Sequence, residues 1–312
     1  MSIKNLGYLV VQSTDFSKWE DYGFNVLGMM KSTSMADNGS VYLKMDQRPF
    51  RYQIVEGPFD GLLYCGWDMG NEADFNATLE KLSAKGTAFE KIEDAAVLAE
   101  RAVSGLARLA DPSGNQMELY WATAEQADDG VAFESPLDVK EFVTTADCGE
   151  DMGLGHVVLN TPTDFEGTHE FYMDLGFTDS DITDMDHKGL GKIYFMHCGP
   201  RHHSLAIWNW GGPCPETNFQ PSPESKAPGC GHVMSEVRSL SEVGQCLDRV
   251  NEREIMVVSS LGEHINDEMY SFYHLTPGNF AMEFGYNGIQ LDEKWETTHN
   301  TEASHWGHKW QG

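Results

Sequence analysis

Leu154-Gly155-His156-Val157-Val158-Leu159 decides the fold, because an earlier stretch of the chain repeats its spacing. The run is short and apolar, reads as a strand, and carries one imidazole. Leu175-Gly176 closes the helix-like stretch that follows, with Leu175 19 positions after His156. Leu6-Gly7-Tyr8 opens in the same way, and Leu27 follows Tyr8 after the same 19 positions. Trp19 to Tyr22 and His169 to Tyr172 fill the two intervening segments. Two further units match more loosely. Leu62 to Met69, then Asn76 to Leu79 and Leu82, parallel Gly229 to Val237, then Gln245 to Leu247 and Val250. Their ends agree better: Asp111-Pro112-Ser113-Gly114-Asn115-Gln116-Met117-Glu118 parallels Leu275-Thr276-Pro277-Gly278-Asn279-Phe280-Ala281-Met282-Glu283. The chain therefore reads as four modules of a strand, a helix and further strands, arranged as two pairs.

Three equivalent positions hold metal-ligand side chains in the second half. His156, His232 (in Gly231-His232-Val233-Met234-Ser235) and Glu283 (in Phe280-Ala281-Met282-Glu283-Phe284) are each the ligand-type residue of a short apolar run. Two neutral imidazoles and one carboxylate are the ligand set of non-haem Fe(II) sites, which keep positions open for reactants. In the first half Tyr8 and Tyr64 replace the histidines, and only Glu118 keeps its counterpart, Glu283. Residues 1–130 are thus expected to be a module pair that keeps the fold without a metal. Residues 131–152 are a polar linker, residues 153–290 the catalytic pair, and residues 291–312 a tail.

Composition narrows the function classes. At 312 residues the chain is long enough for two domains with proper cores. Asp and Glu number 49 against 21 Lys and Arg, a net charge of −28. Without a basic run, nucleic acid and anionic membranes are poor partners. The acidity itself reads as a device for solubility or for saline surroundings. The six cysteines form no C-x-x-C pair, and neither a signal peptide nor an apolar run of about 18 residues is present. A cytoplasmic protein with reduced thiols is expected. Between Gly211 and Gly229, Pro213, Pro215, Pro221, Pro223 and Pro228 exclude a regular helix or central strand. A loop of that length reads as a lid or an interface. The tail, with Trp295, Trp306, Trp310, His299, His305 and His308, is expected as a helix or coil covering a sheet.

Four stretches carry a resemblance. They are the opening Met1-Ser2-Ile3-Lys4-Asn5-Leu6-Gly7-Tyr8, the Asp111-Pro112-Ser113-Gly114-Asn115 turn, the run Leu261-Gly262-Glu263-His264-Ile265-Asn266-Asp267-Glu268-Met269-Tyr270-Ser271-Phe272-Tyr273 with Thr276-Pro277 and Glu283, and the closing Trp306-Gly307-His308-Lys309. Over its whole length the chain resembles the type I extradiol ring-cleavage dioxygenases of the vicinal oxygen chelate superfamily. It is most similar to the 2,3-dihydroxybiphenyl 1,2-dioxygenase branch. The resemblance implies an α+β fold of four βαβββ modules, paired into two domains whose curved mixed sheets each enclose a cavity. It implies Fe(II), with Mn(II) as the alternative on the same ligands, O₂ as co-substrate, and a homo-oligomer. Within it His156, His232 and Glu283 match the metal ligands, and His203 matches the acid/base. His264 and Tyr273 match residues that hydrogen-bond the substrate oxygens and the oxygen adduct, and Asn266 and Asp267 resemble the pair beside them. The chemistry needs such groups. A catechol must lose a proton on binding and a proton must later reach the peroxide oxygen, and a histidine near neutrality can do both.

Read without the resemblance, several residues have a plain alternative. One of His202 and His203 is structural, since neighbours on a strand face opposite sides. Tyr273 fits strand packing and His264 a loop cap. Val158, Phe195, Ile207, Trp208 and Trp210 read equally as the wall of an apolar pocket and as core. The chain also departs from the family pattern. The segment between His203 and His232 is long, Thr276-Pro277-Gly278-Asn279 replaces a Pro-Ser-Gly turn, and Gly231 precedes His232 where a second histidine is common. These touch substrate preference, for which 2,3-dihydroxybiphenyl, 1,2-dihydroxynaphthalene and 3-alkylcatechols are the candidates. A glyoxalase-like isomerase, a metal-dependent thiol transferase or a non-catalytic drug-binding protein on the same fold are the other classes.

Overall fold

The computed structural model describes residues 3–209, 212–213, 221–222 and 227–310. All four modules are strand, helix and three strands. The first runs Asn5–Ser13, helix Phe16–Tyr22, then Met30–Lys31, Val41–Lys44 and Tyr52–Glu56. The second runs Gly61–Asp68, helix Glu72–Ala84, then Glu90–Ile92, Gly105–Ala110 and Gln116–Trp121, with an added helix Ala95–Arg101. The third runs Val157–Asn160, helix Phe165–Leu175, then Thr178–Asp184, Lys192–His197 and Leu205–Trp208. The fourth runs Gly229–Val237, helix Leu240–Glu252, then Val257–His264, Tyr270–Leu275 and Ala281–Tyr286. Asp15, Asn71, Asp164 and Ser239 start the four module helices by accepting a backbone N–H of the first turn.

In each half the first strands of the two modules lie side by side and antiparallel at the centre of one mixed sheet. His232 stands opposite Val158, and Tyr64 stands opposite Val10. The equivalence read in sequence is therefore an equivalence of position. Turn chemistry follows it too. Asp111 N–H bonds the Asn115 carbonyl and Thr276 N–H the Phe280 carbonyl. Asn279 takes at φ +57° the left-handed place that Gly114 fills at φ +100°, a conformation asparagine tolerates better than most residues.

The apolar faces of both sheets and the module helices form one continuous core. Trp19 meets Phe280 at 6.0 Å and Trp67 meets Phe177 at 5.1 Å, each across the two halves. The Tyr22 hydroxyl lies 2.9 Å from His274 Nε2 in the same seam. Ile207 is fully buried in that core, which decides for packing and against the pocket wall.

The tail is coil, as the sequence suggested, but it carries two three-residue strands that were not expected. Thr298–Asn300 adds to the Thr178–Asp184 edge in parallel, and Ser304–Trp306 adds to the Val257–His264 edge antiparallel. One short segment thus pairs both edges of the second sheet and, among the described residues, brings it to ten strands against eight in the first. The physical reason is the row of unpaired N–H and C=O groups that any edge strand presents. Trp210 and most of the proline-rich segment lie outside the described residues; Gly212–Pro213 and Pro221–Ser222 form an isolated two-stranded ladder. Among the described residues no helix is long and apolar enough to cross a membrane.

Candidate metal centre

His156 enters its strand from a glycine that nothing can replace. Gly155 sits at φ +147°, and a Cβ there would lie 1.9 Å from the Met234 carbonyl oxygen. His232 comes from the neighbouring central strand. Glu283 comes from the next, in register with Met234 on one side and Tyr273 on the other. Three adjacent strands thereby aim three ligand atoms at one point. The His156 Nε2 to Glu283 Oε2 distance is 3.0 Å, His232 Nε2 to the same oxygen 3.3 Å, and the two Nε2 atoms are 3.2 Å apart. A small divalent ion bonded at about 2.1 Å sets its ligands about 3.0 Å apart at right angles and about 3.4 Å apart at tetrahedral angles. The triangle already has the size of one face of a coordination polyhedron, and its donor set suits iron. Burial would raise the Glu283 carboxyl, but hydrogen bonds from His156, His232 and His264 hold it well below the usual range. Burial pushes the His156 imidazole down to about 4. A carboxylate and a neutral imidazole are the forms a metal binds.

The other residues singled out in sequence gather around this triangle. His203 stacks on His156 with ring centres 3.9 Å apart. Its Nδ1 lies 3.1 Å from His202 Nδ1 and 3.9 Å from Asp267 Oδ2. Burial, with His156 and His202 alongside, holds His203 well below its ordinary value, so it is a neutral base. Burial lifts Asp267 to about 6 against the opposing pull of His264. Tyr273 Oη lies 2.7 Å from His264 Nε2. Burial and the nearby Glu283 keep that phenol protonated. Burial works against a charge on His264, yet its contact with Glu283 takes it up to about 9. A divalent ion on Glu283 would withdraw much of that attraction.

These groups share one cavity of about 390 Å³. Val158, Phe195, Asn266 and Asp267 all line it, as does Trp208. Met185, Leu190 and Ile193 extend the apolar flank, and Met256 and Val258 lie on the wall. Two contributors escaped the sequence reading. Ser271 Oγ donates to Glu283 Oε1 at 2.6 Å, and His308 stacks over His264 at 4.0 Å. Ser271 shares a strand face with Tyr273 two residues on, a spacing that would have found it. His308 lies in the closing Trp306-Gly307-His308-Lys309, but nothing local joins it to His264.

The first half holds the same positions with different chemistry. Glu118 is fully buried and takes hydrogen bonds from Tyr8 Oη at 2.7 Å, Arg101 Nε at 2.9 Å and Arg108 Nε at 2.9 Å. Phe50 packs on Tyr8 where His203 packs on His156, and Arg108 pairs with Glu118 where Tyr273 pairs with Glu283. Arg101 arrives on the added helix of the second module and brings a protein cation to the carboxylate.

Paired βαβββ units around a His-His-Glu triangle define a metalloprotein of the glyoxalase and dioxygenase kind. Residues 153–285 match the Glyoxalase/Bleomycin resistance protein/Dioxygenase superfamily, and residues 6–57 match Dihydroxybiphenyl dioxygenase BphC D1. An iron-dependent extradiol dioxygenase of Rhodococcus jostii (strain RHA1) is 39% identical over 99% of this chain and 97% of its own. A biphenyl-2,3-diol 1,2-dioxygenase of Metapseudomonas furukawaii is 34% identical over 99% of this chain and 94% of its own. The crystal structure of BphC, a halotolerant catechol dioxygenase, superposes with a TM-score of 0.85 at 29% identity, covering 99% of this chain and 95% of that one. The chain belongs to the extradiol ring-cleavage dioxygenases, and its reaction is the iron-dependent opening of a catechol by O₂ beside the diol.

Proposed function

We propose that His156, His232 and Glu283 hold the iron, that His203, His264 and Tyr273 manage the protons, and that the substrate is a catechol bearing a second ring. The observation that carries this is the triangle of ligand atoms 3.0–3.3 Å apart on the wall of a cavity whose far flank is apolar. Bound Fe(II) supplies adjacent open positions for catechol and O₂ and a path for electrons between them. His203, neutral and against the ligand set, takes a proton from a catechol hydroxyl and later returns one. Tyr273 Oη donates a hydrogen bond to the bound catecholate oxygen and favours its ionised form. Protonated His264 Nε2 donates to Tyr273 Oη and leaves the phenol proton for that contact. Asn266 and Asp267 border the diol. Val158, Met185, Ile193, Phe195 and Trp208 take the second ring and keep water away from it.

The names of the relatives support the biphenyl-type assignment, and 1,2-dihydroxynaphthalene and 3-alkylcatechols are the competing substrates. The protein works in the cytoplasm as a homo-oligomer. The first 130 residues serve as its metal-free half, and sedimentation of the purified chain tests the assembly.

The test is anaerobic loading with Fe(II), then addition of 2,3-dihydroxybiphenyl and air. A yellow product with one O₂ consumed per catechol supports the reading. A kcat/KM higher for 3-methylcatechol than for the biphenyl diol would move the substrate. Retained iron in both His232→Ala and Glu283→Gln would overturn the ligand assignment.

A further inference from the structure

The tail covers more than sheet edges. Its Ser304–Trp306 strand runs beside Val257–His264, with His264 opposite Ser304 and Glu263 opposite Trp306. Two glycines let it sit this close. A Cβ on Gly307 (φ +71°) would lie 2.2 Å from the Leu261 carbonyl oxygen, and one on Gly262 would lie 2.6 Å from the His308 nitrogen. The chain therefore crosses backbone against backbone, and His308 is delivered directly over His264. The two rings are 4.0 Å apart and inclined by 30°.

His308 is itself held on both nitrogens. Nδ1 lies 2.7 Å from Ser304 Oγ, and Nε2 lies 3.2 Å from Ser271 Oγ and 3.1 Å from the Ser271 carbonyl oxygen. His264 Nδ1 lies 3.0 Å from the Ala303 carbonyl oxygen. A carbonyl only accepts, so His264 Nδ1 carries a hydrogen whether the ring is neutral or charged. Nε2 is the nitrogen turned inward, toward Tyr273 Oη and Glu283 Oε1.

We infer that the tail is a positioning element of the active site, in which Ala303 holds His264 by its Nδ1–H and His308 fixes its ring plane. His308 also lines the cavity, and its part here is to act through His264. The inference rests on the reading of His264 given above, and a double-mutant cycle separates the two. His308→Ala lowers kcat by between about tenfold and about a hundredfold, the usual cost of a misplaced acid or base. In a His264→Ala background the same change alters kcat less than about twofold. His308→Phe, which keeps the stacking and loses the hydrogen bonds, recovers part of the loss. An independent readout needs no turnover. In ¹⁵N-histidine-labelled metal-free protein the His264 Nδ1–H bonded to Ala303 gives one slowly exchanging signal, and His308→Ala broadens it or speeds its exchange. Equal losses from His308→Ala in both backgrounds, or an unchanged His264 signal, would overturn the positioning role. Full activity of His264→Ala alone would instead overturn the role given to His264. If His308→Ala fails to fold, His308→Phe carries the same comparison in both backgrounds.

Discussion

Arg101→Met should unsettle the N-terminal half of the molecule. Glu118 is fully buried and has three partners, the Tyr8 hydroxyl, Arg101 and Arg108. The Arg101 side chain is 5% exposed while that of Arg108 is 25% exposed, so Arg101 is the better shielded cation and Arg108 the more hydrated one. Arg101 also donates to Gln53 Oε1. Burial lowers its guanidinium's affinity for a proton, and Glu118 more than restores it. Removing one partner of a buried pair costs about 3–5 kcal/mol, because the other charge stays behind. Arg108 and Tyr8 remain, which points to the lower end, about 3 kcal/mol, a large share of a typical total of about 5–15 kcal/mol. Replacing both members, as Arg101→Met with Glu118→Leu, should recover most of that loss. Urea unfolding of the two variants beside the parent measures it. At temperatures well below melting, kcat of the distant site should be unchanged. A loss under about 1 kcal/mol for Arg101→Met, or a double variant no better than the single, would refute the idea that a guanidinium does the neutralising here.

Other outcomes follow from the same geometry. His203→Asn should retain iron and lower kcat by about 10²–10⁴, the usual worth of a positioned acid or base, as read by oxygen uptake against iron content. His274 is fully buried and pushed by burial down to about 3, so the folded protein refuses a proton that the unfolded chain accepts below about pH 6.5. Stability is therefore lost as pH falls from about 6.5 toward 3, by about 1.4 kcal/mol at pH 5.5 from this group alone, and His274→Gln should flatten that slope in urea titrations. With a net charge of −28, the melting temperature should rise between low salt and 1 M NaCl as repulsion is screened. A flat or falling curve would remove self-repulsion from the account.

What the sequence disclosed depended on the repeat. His156, His232 and Glu283 were legible because Tyr8, Tyr64 and Glu118 mark the same places in a second copy, and strand register carries such places faithfully. Val158 and Phe195 were legible as apolar strand residues, but only the folded sheet says that they face the cavity while Ile207 faces the core. The tail strands were not legible. Three residues are too few for a period, and pairing at an edge is decided by the sheet that needs a partner. Arg101 was hidden for a similar reason. Nothing local joins it to Glu118 17 positions on, and the added helix that delivers it breaks the module pattern. Ser271 and His308 act on groups that are themselves distant in sequence, so their use appears only once Glu283 and His264 are in place.

The unbroken core between the halves bears on how such an enzyme can be taken apart. Trp19, from the first module, rests on Phe280 just before the strand that carries Glu283, and Tyr22 meets His274 on the strand beside it. The N-terminal half is thus a wall against which the Glu283 strand is laid. Residues 153–290 expressed by themselves would bare that wall's imprint, a wide apolar face with a buried imidazole in it. A minimal catalytic fragment would have to be redesigned along this seam before it could be cut free.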